Sequence, residues 1–393
     1  MLGLRRRAFS QPGHEDAFAT GAATTSAAGV RTRDTDALAR VSPPKATAAV
    51  PLPEVHGSLR PLLEAARRTR ANIAVLPVPM VWRSRSWLPG NFDLLVRTPV
   101  YALAHLRLVA ELWRLRRRLV LVREFLSPFL LLIWPLVWPL RRRCYFLSHH
   151  NLQAAFRGGL ENFCLRLLLR TGFRMALLET SAGIEALGVE VPPAHLLVLP
   201  HPSDIAPAKG PQASAVSALE PVVGVVGAIR REKGSEALLE ELLRLRANGR
   251  LSARLLLGCP EPEVRARWHA RGFEVVDTTR RDDYEAALER CHAVVLNYRR
   301  DRYYYRASGV AADALNQRTV VVSPDFPVMR SQLTYPVKVG CLYRNLDGLE
   351  SAIEQALAIR PEFEEALERY EAERGVEATA ARLDDFLSKG SSR

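Results

Sequence analysis

The chain has 393 residues, a length that suits about two domains, and its 48% hydrophobic and 25% charged residues are a globular composition. The formal charge of +13 points to anionic partners: nucleic acid, acidic lipid or phosphorylated substrates. Five cysteines (Cys144, Cys164, Cys259, Cys291, Cys341) are scattered without CxxC spacing, which argues against a disulfide framework or a zinc site.

Residues 1–70 are rich in Ala, Thr, Ser, Gly and Pro and read as a disordered leader, or as upstream sequence brought in by a wrong start codon. The start, MLGLRRRAF, has no apolar region after its basic residues, so no secretory signal is read there. From Asn72, NIAVLPVPMVW reads as strand and loop, and the second half of the stretch up to Arg118 has helical spacing. LVLVREFLSPFLLLIWPLVWPL reads as strand then helix. Its most apolar part, Phe125 to Leu140, has 16 residues and three prolines. About 20 apolar residues are needed to cross a bilayer, and proline breaks helices, so this is a core segment or one that dips into a membrane face. CYFLSHHN is a strand ending in a polar loop, LENFCLRLLLRTGF an amphipathic helix, RMALLET a strand, SAGIEALG a short helix and HLLVLPHP a strand.

Residues 203–220 read as a linker. Beyond it the alternation is cleaner. Strands at 222–227, 253–258, FEVVDTT, 293–298, TVVVSPD and VKVGCLY are each followed by a helix. Alternation of this kind implies parallel sheets. The chain therefore reads as α/β, with two Rossmann-like doubly wound domains, 71–202 and 221–360, facing across a cleft, and with helices over 361–393 that can cross back to the first domain. Ligands bind at the carboxyl ends of such strands. The polar insertions fall at those ends, after the strands at 145–148, 222–227 and 293–298.

Two of these insertions carry chemistry. In VVGVVGAIRREKG a strand ends at Gly227, and a short loop carries Arg230, Arg231 and Lys233 before Gly234 opens a helix. Cations beside a helix N-terminus suit a diphosphate; the alternative is a solvated basic loop. The glycine spacing of the dinucleotide fingerprint is absent. In RYYYRASGVAADAL an aromatic, basic loop leads into Ser308-Gly309, a good N-cap followed by a residue that lets a ligand approach the backbone. Asp313, one turn in, suits ribose hydroxyls, or else complements the helix dipole. The tyrosines 303–305 serve the loop or pack on the surface. His149 and His150 stand at a strand end, and the residues alone favour a polar loop. His201, in LPHP, reads as a structural loop residue.

The stretch VVGAIRREKG … LLLG … AVVLNYRRDRYYYRASGVAADALNQRTVVVSPD resembles the donor-binding half of the group 1 (family 4) glycosyltransferases of the GT-B fold. It is closest to the branch with G-x-I-R-x-x-K-G and Y-R-x-S-G motifs. The resemblance covers roughly residues 195–360 and is weaker over 72–194, where FLSHHN and RMALLETSAGIEALG are similar to the acceptor half. It implies a nucleotide-sugar-binding second domain and an acceptor-side first domain. The implied reaction moves a sugar from a nucleotide-diphosphate sugar to a glycan, lipid-linked or small-molecule acceptor, with retention and without a metal or other cofactor. Gly227, Arg230 and Lys233 would hold the donor diphosphate, and Arg230 and Lys233 would stabilise it as it leaves. Ser308 and Gly309 would present amides to the phosphates, Asp313 would bind ribose, and His150 would sit near the reacting sugar.

There are two departures. Ala228 stands where many relatives place a cation, Arg230 being the substitute in this branch. Many relatives also carry two acids eight apart; eight before Asp313 is Tyr305, so the sugar contact falls to Tyr305, Arg306, a backbone amide or another residue. The alternative is a non-catalytic GT-B-like partner subunit that binds nucleotide sugar or a partner protein. From Arg97 to Arg174 there are 14 arginines and three glutamates. This face suggests contact with an anionic membrane and a cytoplasmic protein peripheral on the inner membrane face. Nucleic acid is set aside, because no zinc spacing, RNA-recognition motif or helix-turn-helix signature is present.

Overall fold

The computed structural model describes residues 60–69, 73–77, 103, 105–117, 119–123, 135–148, 153, 156, 159–206, 220–230 and 233–391. Two parallel sheets organise them. The first contains β1 (Ile73–Pro77), β2 (Leu119–Arg123), β3 (Cys144–Ser148), β4 (Arg174–Leu178) and β5 (Leu196–Leu199), side by side in chain order. The second contains β6 (Val222–Val226), β7 (Arg254–Cys259), β8 (Glu274–Asp277), β9 (Ala293–Val295), β10 (Val320–Pro324) and β11 (Gly340–Tyr343). Its spatial order is β8-β7-β6-β9-β10-β11, the doubly wound arrangement, with its reversal between β6 and β9. In the first sheet the described strands show no such reversal.

The strands are near-continuous apolar runs because both faces of each sheet are covered. On the first sheet, Val120, Val122, Cys144 and Phe146 pack with Leu108, Leu112 and Leu168. The alternate residues Leu121, Tyr145 and Leu147 face the other way, onto Leu62, Ala65, Leu383 and Leu387. That second layer corrects the sequence reading. Arg60–Arg68 is a helix within the stretch expected to be leader, and its apolar side is buried against the C-terminal helix Val376–Ser391 and this sheet. RPLLEAARR is only nine residues long, with its apolar positions Leu62, Leu63, Ala65 and Ala66 buried and arginines at both ends; the partners that cover that side lie far along the chain. The tail forms two helices, Arg360–Arg374 and Val376–Ser391, and the second returns to the first sheet, where Phe386 meets Tyr145 edge-on at 5.5 Å.

Two boundaries also move. Of the expected linker, 203–206 are packed: Ser203 is buried, and the N–H groups of Asp204 and Ala206 donate to Asn316; 207–219 lie outside the described residues. The strand expected at 293–298 ends at Val295, because Asn297 and Tyr298 turn to hold neighbouring loops.

The halves are tied by one buried ion pair. Glu179 follows β4 with φ +75, in the left-handed region. Its carboxylate accepts from Arg374 Nη1 (2.6 Å) and Nη2 (3.1 Å), from the His201 N–H (2.8 Å) and from Ser331 Oγ (2.8 Å). Both side chains of the pair are fully buried. Arg374 also donates to the carbonyls of Tyr335 and Ser331 and lies 4.6 Å over the Tyr370 ring. His201 is thus a buried structural residue whose N–H serves Glu179.

Removing one partner strands the other charge, which costs about 3–5 kcal/mol. Arg374→Met and Glu179→Gln are each expected to lower the urea midpoint accordingly. The double replacement is expected to lose less than the two single losses combined. Additive losses would show that the pair is not coupled.

Candidate functional site

The site forms at the switch point of the second sheet, where the carboxyl ends of β6 and β9 diverge. β6 is buried throughout. Gly227 then takes φ +115 and donates its N–H to Gly258 O (2.7 Å), a turn that an L side chain rarely adopts. A Cβ there would lie 3.8 Å from both Lys233 Nζ and Val310. The loop beyond carries Arg230, exposed, and Lys233, half-buried, joined by a Lys233 N–H to Arg230 O bond of 2.9 Å. Gly234, φ +66, begins the helix Ser235–Ala247. Asn297, at the end of β9, donates to Gly234 O (2.8 Å) and so fixes the loop against its neighbour strand. Together Gly227, Ala228, Lys233, Asn297, Tyr298 and Val310 line a small open pocket.

The second wall is the helix Gly309–Asn316. Ser308 is its N-cap, and its Oγ accepts from the Ala311 N–H (3.0 Å). Tyr298 shares that oxygen at 2.7 Å; burial pushes its phenol above the ordinary range, so it stays neutral. Gln332, fully buried, brackets Ser308 from behind: its Oε1 accepts the Ser308 N–H (3.1 Å) and its Nε2 donates to Ser308 O (3.0 Å). This refines the expectation for Ser308, whose own amide is occupied. The first-turn amides of Gly309 and Val310 have no acceptor among the described residues, as expected at a helix start.

Asp313 differs more. It lies in the second turn, so the first-turn dipole reading does not hold. Its Oδ1 accepts from Arg281 Nη2 (3.0 Å), and its Oδ2 from Arg281 Nη1 (3.2 Å) and Tyr284 O–H (3.1 Å). Three donors use most of a carboxylate's roughly four acceptor directions. Burial, reinforced by Asp313, pushes the Tyr284 phenol well above its ordinary range, so that O–H remains a donor.

The three tyrosines of the loop each have a different partner. Tyr303 is buried and stacks on Tyr298 at 4.4 Å, and Arg306 lies 4.6 Å over the Tyr303 ring. Tyr304 packs on Phe326 at 5.3 Å. Tyr305 crosses to the first half: its ring stacks on Phe156 at 4.3 Å, and its N–H donates to Gln153 Oε1 (2.8 Å). Gln153 Nε2 also donates to Asp301 O, so one side chain grips both ends of the turn. Of the expected site residues, Gly227 and Lys233 line this pocket together with Val310 of the Gly309–Asn316 helix, Ser308 is bonded to the lining residue Tyr298, and Arg230 stands on the same loop as Lys233. Tyr305, Arg306 and Asp313 do not line this pocket: Tyr305 packs on Phe156, Arg306 over Tyr303, and Asp313 against Arg281 and Tyr284. His150 lies outside the described residues. Asn297, Gln332, Arg281 and Gln153 carry no motif and are found only by contact. No group of three or more His, Cys, Asp or Glu able to hold a metal occurs among the described residues.

No protein-family model matches the chain, and no curated protein matches it in sequence. Solved structures match it in fold. TarM superposes with a TM-score of 0.52 at 15% identity, over 72% of this chain and 57% of TarM, so the chain spans little more than half of that protein's length. Sucrose-phosphate synthase from Thermosynechococcus elongatus gives 0.52 at 17% identity, over 77% of this chain and 80% of that one. A UDP-forming α,α-trehalose-phosphate synthase from Burkholderia xenovorans gives 0.53 at 14% identity, over 75% and 80%. The chain has the α/β architecture of the GT-B fold, two parallel sheets with flanking helices.

Gly234→Ala would place a Cβ 2.9 Å from Asn297 Nδ2 in a left-handed conformation. It is expected to cost more than about 1 kcal/mol. Ser308→Ala, which removes the cap, is expected to cost about 1 kcal/mol. Thermal unfolding measures both, and an unchanged midpoint for either would contradict the geometry described.

Proposed function

We propose that this protein is a glycosyltransferase that moves a hexosyl group from a nucleotide-diphosphate sugar to a glycan, lipid-linked or small-molecule acceptor. One observation carries the reading. In a GT-B fold, the Gly227 turn, the Arg230–Lys233 loop and the start of the Gly309 helix converge on one pocket at the switch point of the second sheet. The UDP-forming synthase among its structural neighbours supports UDP as the first nucleotide to test.

In this reading the Gly309 and Val310 amides receive the phosphates, with Ser308 held behind them by Gln332 and Tyr298. Gly227 leaves room for the diphosphate. As the bond from the sugar's anomeric carbon to the diphosphate breaks, negative charge grows on the leaving oxygen. Arg230 and Lys233 neutralise it, the part a metal would otherwise take. Asp313 offers its remaining acceptor direction to ribose, steadied by Arg281 and Tyr284. Tyr305 and Arg306 border the sugar, and His150 lies near the reacting centre. Retention, independence of a metal or other cofactor, a role in polysaccharide synthesis and a cytoplasmic place on the inner membrane face complete the proposal; nucleic acid is not a partner. Tyr305, standing where relatives keep a sugar-gripping acid, favours a second reading, a non-catalytic subunit that still binds the donor.

Titration calorimetry against UDP, GDP, ADP and dTDP tests donor binding, and the absence of binding to all four would end the enzyme reading. Arg230→Ala and Lys233→Ala are each expected to weaken nucleoside-diphosphate binding by about 1.5–3 kcal/mol while leaving the nucleoside alone unaffected. A loss confined to nucleoside affinity would refute the phosphate assignment. Donor binding without transfer to any acceptor would favour the subunit reading.

A further inference from the structure

The helical backbone over 105–114 is apolar on two sides. Leu108, Val109 and Leu112 are buried with the first sheet. Leu103, Leu106 and Trp113 are spaced to share the side that adjoins this stripe, and they are 69%, 53% and 39% exposed. A second segment extends this surface. Trp113 Nε1 donates to Leu136 O (3.0 Å), and Leu136 and Trp138 are 48% and 41% exposed. An amphipathic helix in a globular protein shows one apolar stripe, and a second, contiguous and exposed, marks an interaction surface.

The surroundings are cationic. Arg141 lies 3.7 Å over the Trp138 ring. Arg116 donates to Trp113 O, and Arg143 donates to Arg116 O, bracing the two segments together. Arg117 and Arg142 are exposed beside them. The acid on this helix, Glu111, is paired with Arg114 at 2.7 Å. The same field reaches His195, whose imidazole is held below its ordinary range by burial and then by Arg174, Arg142 and Arg141. Aromatic and aliphatic side chains ringed by arginine fit the interface of a bilayer, where the rings sit at headgroup level and the guanidiniums meet lipid phosphate.

We infer that the Leu106–Trp113–Trp138 patch docks this protein onto an anionic membrane. Charge and polarity together select that occupant. A second copy would bring the same arginines face to face. A nucleic acid would match the arginines but leave Leu103, Leu106 and Leu136 in water. An anionic lipid surface accommodates both. The inference gives the proposed membrane placement a surface, and it rests on the exposed stripe and not on transfer chemistry.

The test is co-sedimentation of the full chain with vesicles of phosphatidylcholine alone and of phosphatidylcholine mixed with phosphatidylglycerol. Pelleting is expected with the mixed vesicles and reversed by about 0.5 M salt. Leu106→Ser with Trp138→Ser is expected to weaken partitioning by at least about tenfold. Arg117→Glu with Arg142→Glu is expected to weaken it by at least about fivefold. Both variants should keep the wild-type unfolding midpoint and UDP affinity. Three results would overturn the inference: no pelleting, equal pelleting of wild type and variants, or a dimer in sedimentation equilibrium that Trp138→Ser abolishes. Vesicle binding by a chain that binds no nucleoside diphosphate would remove the transfer reading and support this one.

Discussion

The Glu179–Arg374 pair is the constraint on which the rest of the structure turns. It joins the end of β4 to the helix Arg360–Arg374 in full burial. Its remaining bonds reach Ser331, next to Gln332 on the helix Pro327–Thr334. Gln332 brackets Ser308 and accepts at its carbonyl from Tyr370, whose ring lies under Arg374. A short chain of contacts thus runs from the seam between the halves to the helix start at the pocket. Two buried charges are costly to desolvate and return that cost only in good geometry. The backbone at Glu179 bears a further cost of about 1–2 kcal/mol for its left-handed conformation. Both costs are sustained where the carboxylate finds four donors at once.

The pocket is built by exclusion and bracing. Gly227 keeps the turn free of a Cβ, Asn297 pins the cationic loop to β9, and Ser308 is fixed from two sides. The amides of Gly309 and Val310 have no acceptor among the described residues, and the loop across from them carries Arg230 and Lys233, the arrangement on which the proposed phosphate site rests. The tyrosines of the same loop use their rings to pack against three different elements, so that one segment serves the pocket, the second core and the seam.

Much of this was legible in the residues. Apolar runs of four to six positions bounded by turn residues marked the strands, since strands covered on both faces must be apolar throughout. The Gly227 turn and the Ser308 cap were readable because each needs a particular residue type for local reasons. Asp313 shows where such reading stops. Its spacing from the cap suggested a ribose acceptor, and nothing in that spacing tells that Arg281, on the helix Arg281–Glu289, pairs with its carboxylate. Arg60–Arg68 shows the same limit: nothing near it along the chain tells that the C-terminal helix covers its apolar positions.

The sequence by itself determined the alternation of strand and helix, the parallel sheets that follow from it, and the places where glycine, serine and cations gather at strand ends. These depend on local periodicity and backbone preference, which are written in neighbouring residues. The tertiary structure alone decided the ion pair across the seam, the bracket of Gln332 on Ser308, the reach of Tyr305 to Phe156 and the second apolar stripe on the 105–114 helix. Each of these depends on side chains that folding brings together from distant positions, 195 residues apart for Glu179 and Arg374. No spacing rule encodes such partners, because burial and charge pairing are settled by what lies across a contact, and not by what comes next along the chain.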